Sequence, residues 1–314
     1  MTQTRIKIFV SAYACEPDLG SEIGVGWHWV LEMSKYFDIW VLTRQSNQKT
    51  IEDWLEVNPQ PNTIRFVYYD LPEKLRFWKK GLRGVRLYYL LWQRLTNKIV
   101  RHTMEQNGIE IYHLLTYGNA LWPASHYGQQ RFFIWGPIGT GDTIPWEFAR
   151  HYSFRDRVVE EMRRFLVRVL PLNPGFRARC RKAALILCKT ENTRQSIPEK
   201  YRHKAMTFSD VAVEVSSKQE FENIRQFGDT CIRYLSVGRL DAWRGFDLLI
   251  QAFALAHNQN QNLRLEILGH GNDHERLKDL IDRLGMADVI SLEGQVSLEE
   301  YRLKMTVSDV VVNP

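Results

Sequence analysis

Short apolar runs alternate with amphipathic segments along most of the chain, and the spacing of each predicts its structure. In the first part, strands are predicted at residues 5–14, 38–43, 63–69, 109–115, 131–136 and 184–190. Helical spacing lies between them, as in the segment that places Trp27, Val30 and Ser34 on one face and in the basic segment at 155–170. Strands that alternate with helices predict a parallel sheet covered on both faces.

A second and cleaner alternation begins near residue 230, after a polar stretch that is interpreted as the domain junction. It predicts strands at 233–238, 263–269, 289–294 and 309–314, with helices at 245–257, at 274–285 with Gly285 as its cap, and after Ser297. We therefore expect two domains, residues 1–228 and 229–314. A doubly wound nucleotide-binding domain has about six strands, so the second domain is expected to be incomplete, the alternative being a small four-stranded domain.

Composition places the chain among ordinary globular proteins. It has 314 residues, 44% of them hydrophobic and 25% charged, which fits two domains and excludes a disordered or fibrous class. Its apolar runs are far shorter than the roughly 20 residues that cross a bilayer. Four cysteines lie far apart without a CxxC pair, so neither a disulfide framework nor a zinc site is expected, and a cytoplasmic location is favoured.

Charge is more informative in its distribution than in its total. The net charge of +6 is modest for this length and argues against a nucleic-acid partner. Residues 74–101, however, contain basic and no acidic residues, interleaved with aromatic ones: Phe77, Trp78, Tyr88, Tyr89 and Trp92. One interpretation is a segment that lies on an anionic membrane surface. The other is a helix whose basic face is solvated and whose aromatic side chains pack inward.

Ligands of doubly wound domains bind beyond the carboxyl ends of the strands, where loops lead into helix N-termini. The first such loop, GSEIGVG at 20–26, could approach a phosphate closely. It fits the dinucleotide fingerprint poorly, and no acidic residue ends the next strand, so a nicotinamide cofactor and a dehydrogenase are disfavoured. A tight turn needed for packing would explain its glycines equally well.

Two further loops in the first domain are candidates. GPIGTGD at 136–142 has three glycines, Gly136, Gly139 and Gly141, which is more than a turn requires, and it is expected to face the cleft. His113 ends a predicted strand, where an imidazole could donate to a sugar hydroxyl. A lone histidine at a strand end is more often structural, and both readings stay open here.

The loop VGRLDAWRGFDLL at 237–249 is the most specific feature. Arg239 leaves a strand and Arg244 directly precedes the helix-opening Gly245, so two guanidinium groups could converge on one diphosphate. Fixed cations there would stabilise the charge that develops on a leaving nucleoside diphosphate. The alternative is an exposed arginine pair held in surface salt bridges.

These segments also carry a family resemblance. VGRLDAWRGFDLLIQAF, LRLEILGHGNDHERLKDLIDRLG and VISLEGQVSLEEYRLKMTVSDVVVNP resemble the nucleotide-sugar half of retaining glycosyltransferase family 4, the glycosyl transferases group 1. SAYACEPDLGSEIGVGWHWVLEMSKYFDIWVLTR and FIWGPIGTGDTIP look like one bacterial branch of that family. The resemblance implies an α/β architecture of GT-B type, with two Rossmann-like parallel-sheet domains facing a cleft.

Roles for individual residues follow from the resemblance alone. It implies that Arg239 and Arg244 hold the donor diphosphate and act in catalysis, and that His113 contacts the transferred sugar. It implies donor contacts from the backbone of Gly20 and Ser21, and places Gly294 and Val296 near the base. This sequence departs from the family pattern in having Arg244 where lysine is usual, and Gly20-Ser21 where two glycines are usual. The family's paired glutamates would fall after Pro314, so weak nucleotide binding is expected of the chain as given.

The resulting hypothesis is a retaining glycosyltransferase. It would move a sugar from a nucleoside-diphosphate donor to a glycan or lipid-linked acceptor in cell-surface polysaccharide synthesis, without a metal or other cofactor. It would reside in the cytoplasm, peripherally on the inner face of the membrane through residues 74–101. The alternative is a non-catalytic nucleotide-binding or membrane-associated remnant of such an enzyme.

Overall fold

The structure is a computed structural model that describes residues 5–60, 63–79, 84–122, 124, 132–140, 142–149, 152, 154–210 and 231–314. The chain separates into two compact units. Unit 1 comprises residues 1–143 and 161–212, and unit 2 comprises residues 144–160 and 213–314. The predicted boundary between residues 228 and 229 lies outside the described residues and stays a prediction.

Within the described ranges, unit 1 contains one seven-stranded parallel sheet. Its strands are β1 (Lys7–Ser11), β2 (Asp38–Arg44), β3 (Ile64–Tyr69), β4 (Ile111–Leu114), β5 (Phe132–Ile138), β6 (Leu185–Cys188) and β7 (Ala205–Thr207). They lie in the order β3-β2-β1-β4-β5-β6-β7. The order runs outward in both directions from β1, which is the doubly wound arrangement.

The helices up to residue 196 are α1 (Ser21–Ser34), α2 (Gln48–Val57), α3 (Val85–Leu95), α4 (Asn97–Asn107), α5 (Trp146–Ala149), α6 (Phe154–Val169), α7 (Pro174–Lys182) and α8 (Glu191–Ser196). The division between the two units falls inside α6, after Glu160.

Alternating side chains of β1 show why the unit 1 sheet is covered on both faces. Ile8 and Val10 belong to a core cluster with Trp27 of α1. Phe9, which points to the opposite face, belongs to a second cluster with Trp92 of α3. Both clusters are buried, so the prediction of a parallel sheet with helices on two faces is confirmed. The sequence prediction missed β7, which has three residues and two exposed side chains and therefore no apolar run.

Unit 2 holds a four-stranded parallel sheet among the residues the structure describes. Its strands β8 (Ile232–Val237), β9 (Leu263–Leu268), β10 (Ile290–Gly294) and β11 (Val310–Val311) lie in the order β10-β9-β8-β11. The helices are α9 (Phe246–Gln259), α10 (His274–Arg283) and α11 (Leu298–Val307). The predicted helix ends are confirmed: the Ser297 hydroxyl accepts from the Glu300 backbone N–H at 3.1 Å, and Gly285 follows α10 with φ +68°.

The aromatic side chains in the basic segment at 74–101 are part of the core. Tyr88, Tyr89 and Trp92 of α3 are among the largest fully buried side chains, and Trp78 packs against the same cluster. The interpretation in which these rings face lipid is therefore wrong, and the inward-packing alternative describes them. Phe77 differs, since its ring is 78% exposed. Residues 80–83 lie outside the described part of the chain.

The cysteines and the helix lengths add two observations. All four cysteines are free, and burial raises the pKa of the Cys180 and Cys188 thiols to about 12, which makes them poor nucleophiles. None of the described helices has the length and apolarity that crossing a bilayer requires.

Candidate functional site

The carboxyl edge of the unit 2 sheet is built from loops that pack backbone against backbone. A Cβ added to Gly269 would lie 1.8 Å from the Gly238 carbonyl oxygen, and one added to Gly271 would lie 2.1 Å from the Leu240 oxygen. Leu240 N–H donates to the His270 carbonyl at 3.2 Å, and Asp273 N–H donates to the Leu240 carbonyl at 2.9 Å. The loop that follows β8 is thus held in place by the loop that follows β9.

Arg239 and Arg244, the two arginines predicted to bind a diphosphate, belong to this loop. Arg239 is 73% exposed and pairs with the Asp241 carboxylate at 3.1 Å. Arg244 is half-buried, with its guanidinium carbon 4.5 Å from the centre of the Trp243 ring. The Nε of Arg244 is buried and has no hydrogen-bond partner among the described residues. A buried donor without an acceptor is costly. The binding of a diphosphate by Arg239 and Arg244 stays a prediction.

The N-terminus of α9 completes this edge. Gly245, with φ +78°, precedes the helix, and the first turn contains the buried Asp247. This carboxylate lies 3.4 Å from Arg276, which also binds Asp273 through two hydrogen bonds of 2.6 Å. These hydrogen bonds raise the pKa of Arg276. The pairing offsets a negative charge that would otherwise repel an anion at the helix N-terminus.

Gly294 and Val296 lie at the same edge, one strand further along the sheet. Gly294 ends β10 with φ +73°, and its carbonyl accepts from Gly269 N–H at 2.7 Å. A Cβ on Gly294 would meet nothing within 4 Å, so its surroundings are open. Val296 is half-buried in the following loop. Their predicted position near the nucleotide base stays a prediction.

In unit 1, the glycines of the first loop have different roles. Gly20 precedes α1 in extended conformation, Ser21 is the first residue of the helix, and a Cβ on Gly20 would meet nothing within 4 Å. Gly24 and Gly26 lie inside α1, where a Cβ would come within 2.0 Å of the Leu19 and Ala14 carbonyl oxygens. Packing therefore explains Gly24 and Gly26, whereas Gly20 leaves the N-terminus of α1 accessible.

His113 is enclosed in unit 1. Only 2% of it is exposed, its Nε2 donates to the Gly136 carbonyl at 2.7 Å, and its ring contacts Trp29 edge to face. Burial lowers its pKa to about 4, outweighing the hydrogen bond to Gly136, so the ring is neutral at pH 7. Its Nδ1 is also buried and has no hydrogen-bond partner among the described residues, and the predicted contact of His113 with the transferred sugar stays a prediction.

The three glycines of the second predicted loop are not together in one loop. Gly136 lies within β5, where a Cβ would come within 2.3 Å of the Leu187 carbonyl oxygen, so close strand packing explains it. Gly139 follows the strand and its N–H donates to the Gly118 carbonyl at 2.6 Å. Gly141 lies outside the described residues. The expectation that Gly136 belongs to a cleft loop is therefore wrong.

Sequence reasoning missed a side chain that ties two of the unit 1 loops together. Glu22, in the first turn of α1, accepts from the backbone N–H groups of Tyr117 at 2.6 Å and Gly118 at 3.2 Å. Tyr117 has φ +60°, which few non-glycine residues adopt. An acidic residue in a first helical turn is a common dipole partner, so the sequence carried no signal of this longer-range contact.

A groove of about 780 Å³ runs beside α1 in unit 1. Trp29, Met33 and Phe208 provide apolar walls, and the ion pair between Lys189 and Asp210, 2.5 Å long, provides a polar end. Such a combination suits a partly apolar molecule. In the part of the chain that the structure describes, no three His, Cys, Asp or Glu side chains are grouped so that they could hold a metal ion.

Comparison with known protein families gives a match in the C-terminal part of the chain. Residues 217–314 match the family model of glycosyl transferases group 1. A search of curated protein sequences gives no significant match.

Solved structures resemble nearly the whole chain. A glycosyltransferase from Rickettsia africae is 12% identical over 99% of this chain and 73% of that one, with a TM-score of 0.56. Anabaena Alr3699/HepE, solved with UDP and glucose, is 16% identical over 98% of this chain and 73% of its own, also at 0.56. The fold is GT-B. WaaB, described as a lipopolysaccharide outer core galactosyltransferase, is 14% identical with the same coverage, 98% and 73%, at a TM-score of 0.52.

Proposed function

We propose that the chain is a retaining glycosyltransferase that uses a nucleoside-diphosphate sugar. The observation that carries the proposal is the loop from β8 to α9, which offers Arg239, Arg244 and a helix N-terminus at one edge of a parallel sheet. The family match covers this loop, and Anabaena Alr3699/HepE, which shares the fold, binds UDP.

The two arginines differ in what they require to bind a diphosphate. Arg239 exchanges its ion pair with Asp241 for phosphate oxygens, and exposed pairs of this kind contribute at most about 1 kcal/mol. Arg244 is held by its contact with Trp243 and offers its buried Nε. The first amides of α9 add donors whose dipole favours negative charge. Together these groups would neutralise a leaving diphosphate.

The proposed reaction needs no protein nucleophile. The bond between the sugar's anomeric carbon and the diphosphate oxygen breaks, and the acceptor hydroxyl oxygen bonds to that carbon from the same face. The acceptor proton passes to the departing diphosphate, which leaves with both bonding electrons. Arg239 and Arg244 stabilise the charge that develops, so no divalent metal is required.

Unit 1 is assigned the acceptor, in line with the groove beside α1, and the donor contacts of Gly20 and Ser21 stay a prediction. We propose a glycan or lipid-linked acceptor in cell-surface polysaccharide synthesis. The similarity to WaaB, whose description names lipopolysaccharide outer core, supports this acceptor class. The contact of His113 with the transferred sugar stays a prediction.

Turnover of donors tests the proposal. The purified chain is incubated with UDP-glucose, GDP-mannose and ADP-glucose, and release of each nucleoside diphosphate is measured, with water as the default acceptor, with and without a chelator. We expect release from one donor, unchanged by the chelator and abolished in Arg244→Ala. Arg283→Ala is the matched control, because Arg283 is exposed at the last residue of α10, away from the loop.

Two outcomes contradict parts of the proposal. Release that stops with the chelator and returns only with a divalent ion would overturn the metal-free mechanism. Binding of a nucleoside diphosphate without release from any donor would favour the alternative, a non-catalytic nucleotide-binding remnant.

A further inference from the structure

Aromatic and basic side chains meet at the carboxyl edge of the unit 1 sheet. Tyr13 follows β1, Arg44 is the last residue of β2, Asp70 follows β3 and Tyr117 follows β4. The carboxyl ends of parallel strands lie at one edge of a sheet, so residues distant in sequence come together there. The ring centres of Tyr13 and Tyr117 are 5.0 Å apart, and the Arg44 guanidinium carbon lies 5.1 Å from the centre of the Tyr13 ring. All four residues belong to unit 1.

Two buried polar atoms at this edge have no hydrogen-bond partner among the described residues. One is the hydroxyl of Tyr13, a residue that is only 3% exposed, and the other is Nε of Arg44. Burial raises the pKa of Tyr13 and the Arg44 charge acts against it, so the guanidinium lies near the hydroxyl. Buried donors normally have acceptors, and an unpaired one is costly. A ligand rich in oxygen atoms would supply the acceptors that both donors lack.

Lys79 brings a second cation to the same place. Its amine lies 4.7 Å from the centre of the Tyr88 ring, and that centre is 6.3 Å from the centre of the Tyr13 ring. Burial lowers the pKa of Lys79 and the Arg44 guanidinium lowers it further, although Asp70 acts in the opposite direction. Neither Lys79 nor Arg44 forms an ion pair with the described part of the chain. An arginine and a lysine held together in this way suit a phosphate group.

The carboxylates near these cations are already engaged. Asp70 accepts from the Tyr88 hydroxyl at 2.6 Å and from the Ser46 backbone N–H at 3.1 Å, and it lies 4.0 Å from Arg76. Glu22 accepts from the two backbone N–H groups described above. The charges of Arg44 and Lys79 are therefore not matched by a free carboxylate of the described residues, and this edge attracts an anion.

We propose that Tyr13, Arg44 and Lys79 bind a phosphate group, and that the acceptor of the proposed transferase is a phosphate ester of a sugar or polyol. Arg44 presents adjacent N–H groups that match two phosphate oxygens, Lys79 adds a compact charge, and the Tyr13 hydroxyl donates to a further oxygen. The phosphate site rests on contacts within unit 1, whereas its assignment to the acceptor rests on the proposed function. A soluble ester and a lipid headgroup share this chemistry.

Calorimetric titration of the full chain with glucose 6-phosphate tests for a soluble ester, with glucose as the uncharged comparison. We expect glucose 6-phosphate to bind at least about tenfold more tightly than glucose and to be displaced by inorganic phosphate. Arg44→Gln and Lys79→Gln should each weaken its binding about 10- to 100-fold, the effect of losing a hydrogen bond to a charged group.

Arg65→Gln is the matched control for charge. The Arg65 guanidinium also lies over a ring, 4.6 Å from the centre of Trp40, but Arg65 is exposed and lies near the start of β3 rather than beyond its end. This variant removes the same charge from the same unit, so it should bind glucose 6-phosphate as the unchanged chain does. Arg244→Ala, in the unit 2 loop, should also retain this binding.

Co-sedimentation with vesicles tests for a lipid headgroup. Vesicles that contain phosphatidic acid are compared with vesicles of phosphatidylcholine alone, for the unchanged chain, Arg44→Gln and Arg65→Gln. Dependence on Arg44 in the titration alone assigns the ester to a soluble molecule. Binding to phosphatidic acid that Arg44→Gln weakens and Arg65→Gln retains assigns it to a lipid.

Tyr13→Phe separates binding from a structural role. Because the Tyr13 hydroxyl has no partner in the described part of the chain, its removal should leave the unfolding temperature of the unliganded protein unchanged or raise it. The same variant should lose about tenfold in affinity for the phosphate ester, since one hydrogen bond to a charged group is lost. Thermal unfolding of Arg44→Gln and Lys79→Gln checks that both variants fold.

Three results would overturn the proposal. One is binding of glucose 6-phosphate and phosphatidic acid no tighter than that of glucose and phosphatidylcholine. Another is equal affinity in Arg44→Gln and Arg65→Gln, and the third is loss of the binding in Arg244→Ala, which would move the phosphate to unit 2. Absence of phosphate-ester binding in a chain that releases a nucleoside diphosphate from its donor would refute this inference alone. Phosphate-ester binding in a chain without that release would refute the proposed function alone.

Discussion

Replacing Gly269 by alanine should loosen the edge of the unit 2 sheet that holds the two arginines. Gly269 has φ +142°, and the added Cβ would lie 1.8 Å from the Gly238 carbonyl oxygen and 2.9 Å from its carbonyl carbon. Backbone atoms cannot yield as a flexible side chain can, so the loops after β8 and β9 must separate. Overpacking of this kind costs about 1–3 kcal/mol, in addition to about 1–2 kcal/mol for an alanine with positive φ.

Gly294→Ala is the matched control, since this residue also has positive φ at a strand end of the same sheet. A Cβ there meets nothing within 4 Å, so only the conformational cost of about 1–2 kcal/mol applies. Hydrogen exchange, followed by mass spectrometry on peptides from β8 and β9, measures the free energy of local opening. We expect exchange in Gly269→Ala to be faster than in Gly294→Ala by about tenfold or more. Equal exchange in the two variants would refute the backbone contact.

Two further predictions concern unit 1. The free energy of unfolding should fall by up to about 3 kcal/mol as the pH falls from 6.5 to 4, because His113 stays neutral in the fold, with its pKa lowered to about 4, while the unfolded chain binds the proton. Above pH 6.5 His113 is neutral in both the folded and the unfolded chain, so its contribution to the free energy of unfolding does not change there. Urea titrations of the unchanged chain and of His113→Gln should therefore give free energies that diverge only below pH 6.5. The same pH dependence in both proteins would contradict the assignment. Glu22→Ala should lower the free energy of unfolding by about 1–3 kcal/mol, because it leaves the Tyr117 N–H without its acceptor, whereas Glu32→Ala at an exposed position on the same helix should change it little. Equal urea midpoints for these two variants would argue against the loop anchor.

The sequence was sufficient for the fold because its signals are periodic and local. Apolar runs of strand length predicted ten of the eleven described strands, and the caps at Ser297 and Gly285 predicted helix ends. β7 was missed because it lies at an edge, where a short strand needs little apolar side-chain area. Such positions are specified by pairing with a neighbouring strand, which the pattern along the chain does not encode.

The site was harder to predict because a glycine or an aromatic residue can be required at a position for several different structural reasons. Gly136 and Gly20 look alike in the sequence, yet a carbonyl oxygen fills the space beside one, and open space lies beside the other. Trp92 and Phe77 both lie in the same basic segment, but one is in the core and the other is exposed. In each pair, contacts with residues distant in sequence make the difference, and these contacts are seen only in the folded structure.

Calorimetric titration with UDP most directly tests whether the loop from β8 to α9 is a nucleoside-diphosphate site. The unchanged chain is compared with Arg239→Ala, Arg244→Ala and the control Arg283→Ala. We expect saturable binding that weakens by about 10- to 100-fold in each of the first two variants, the effect of losing a hydrogen bond to a charged group, and is retained in the control. Absence of saturation by UDP, GDP and ADP alike, or equal affinity in all four proteins, would contradict the account.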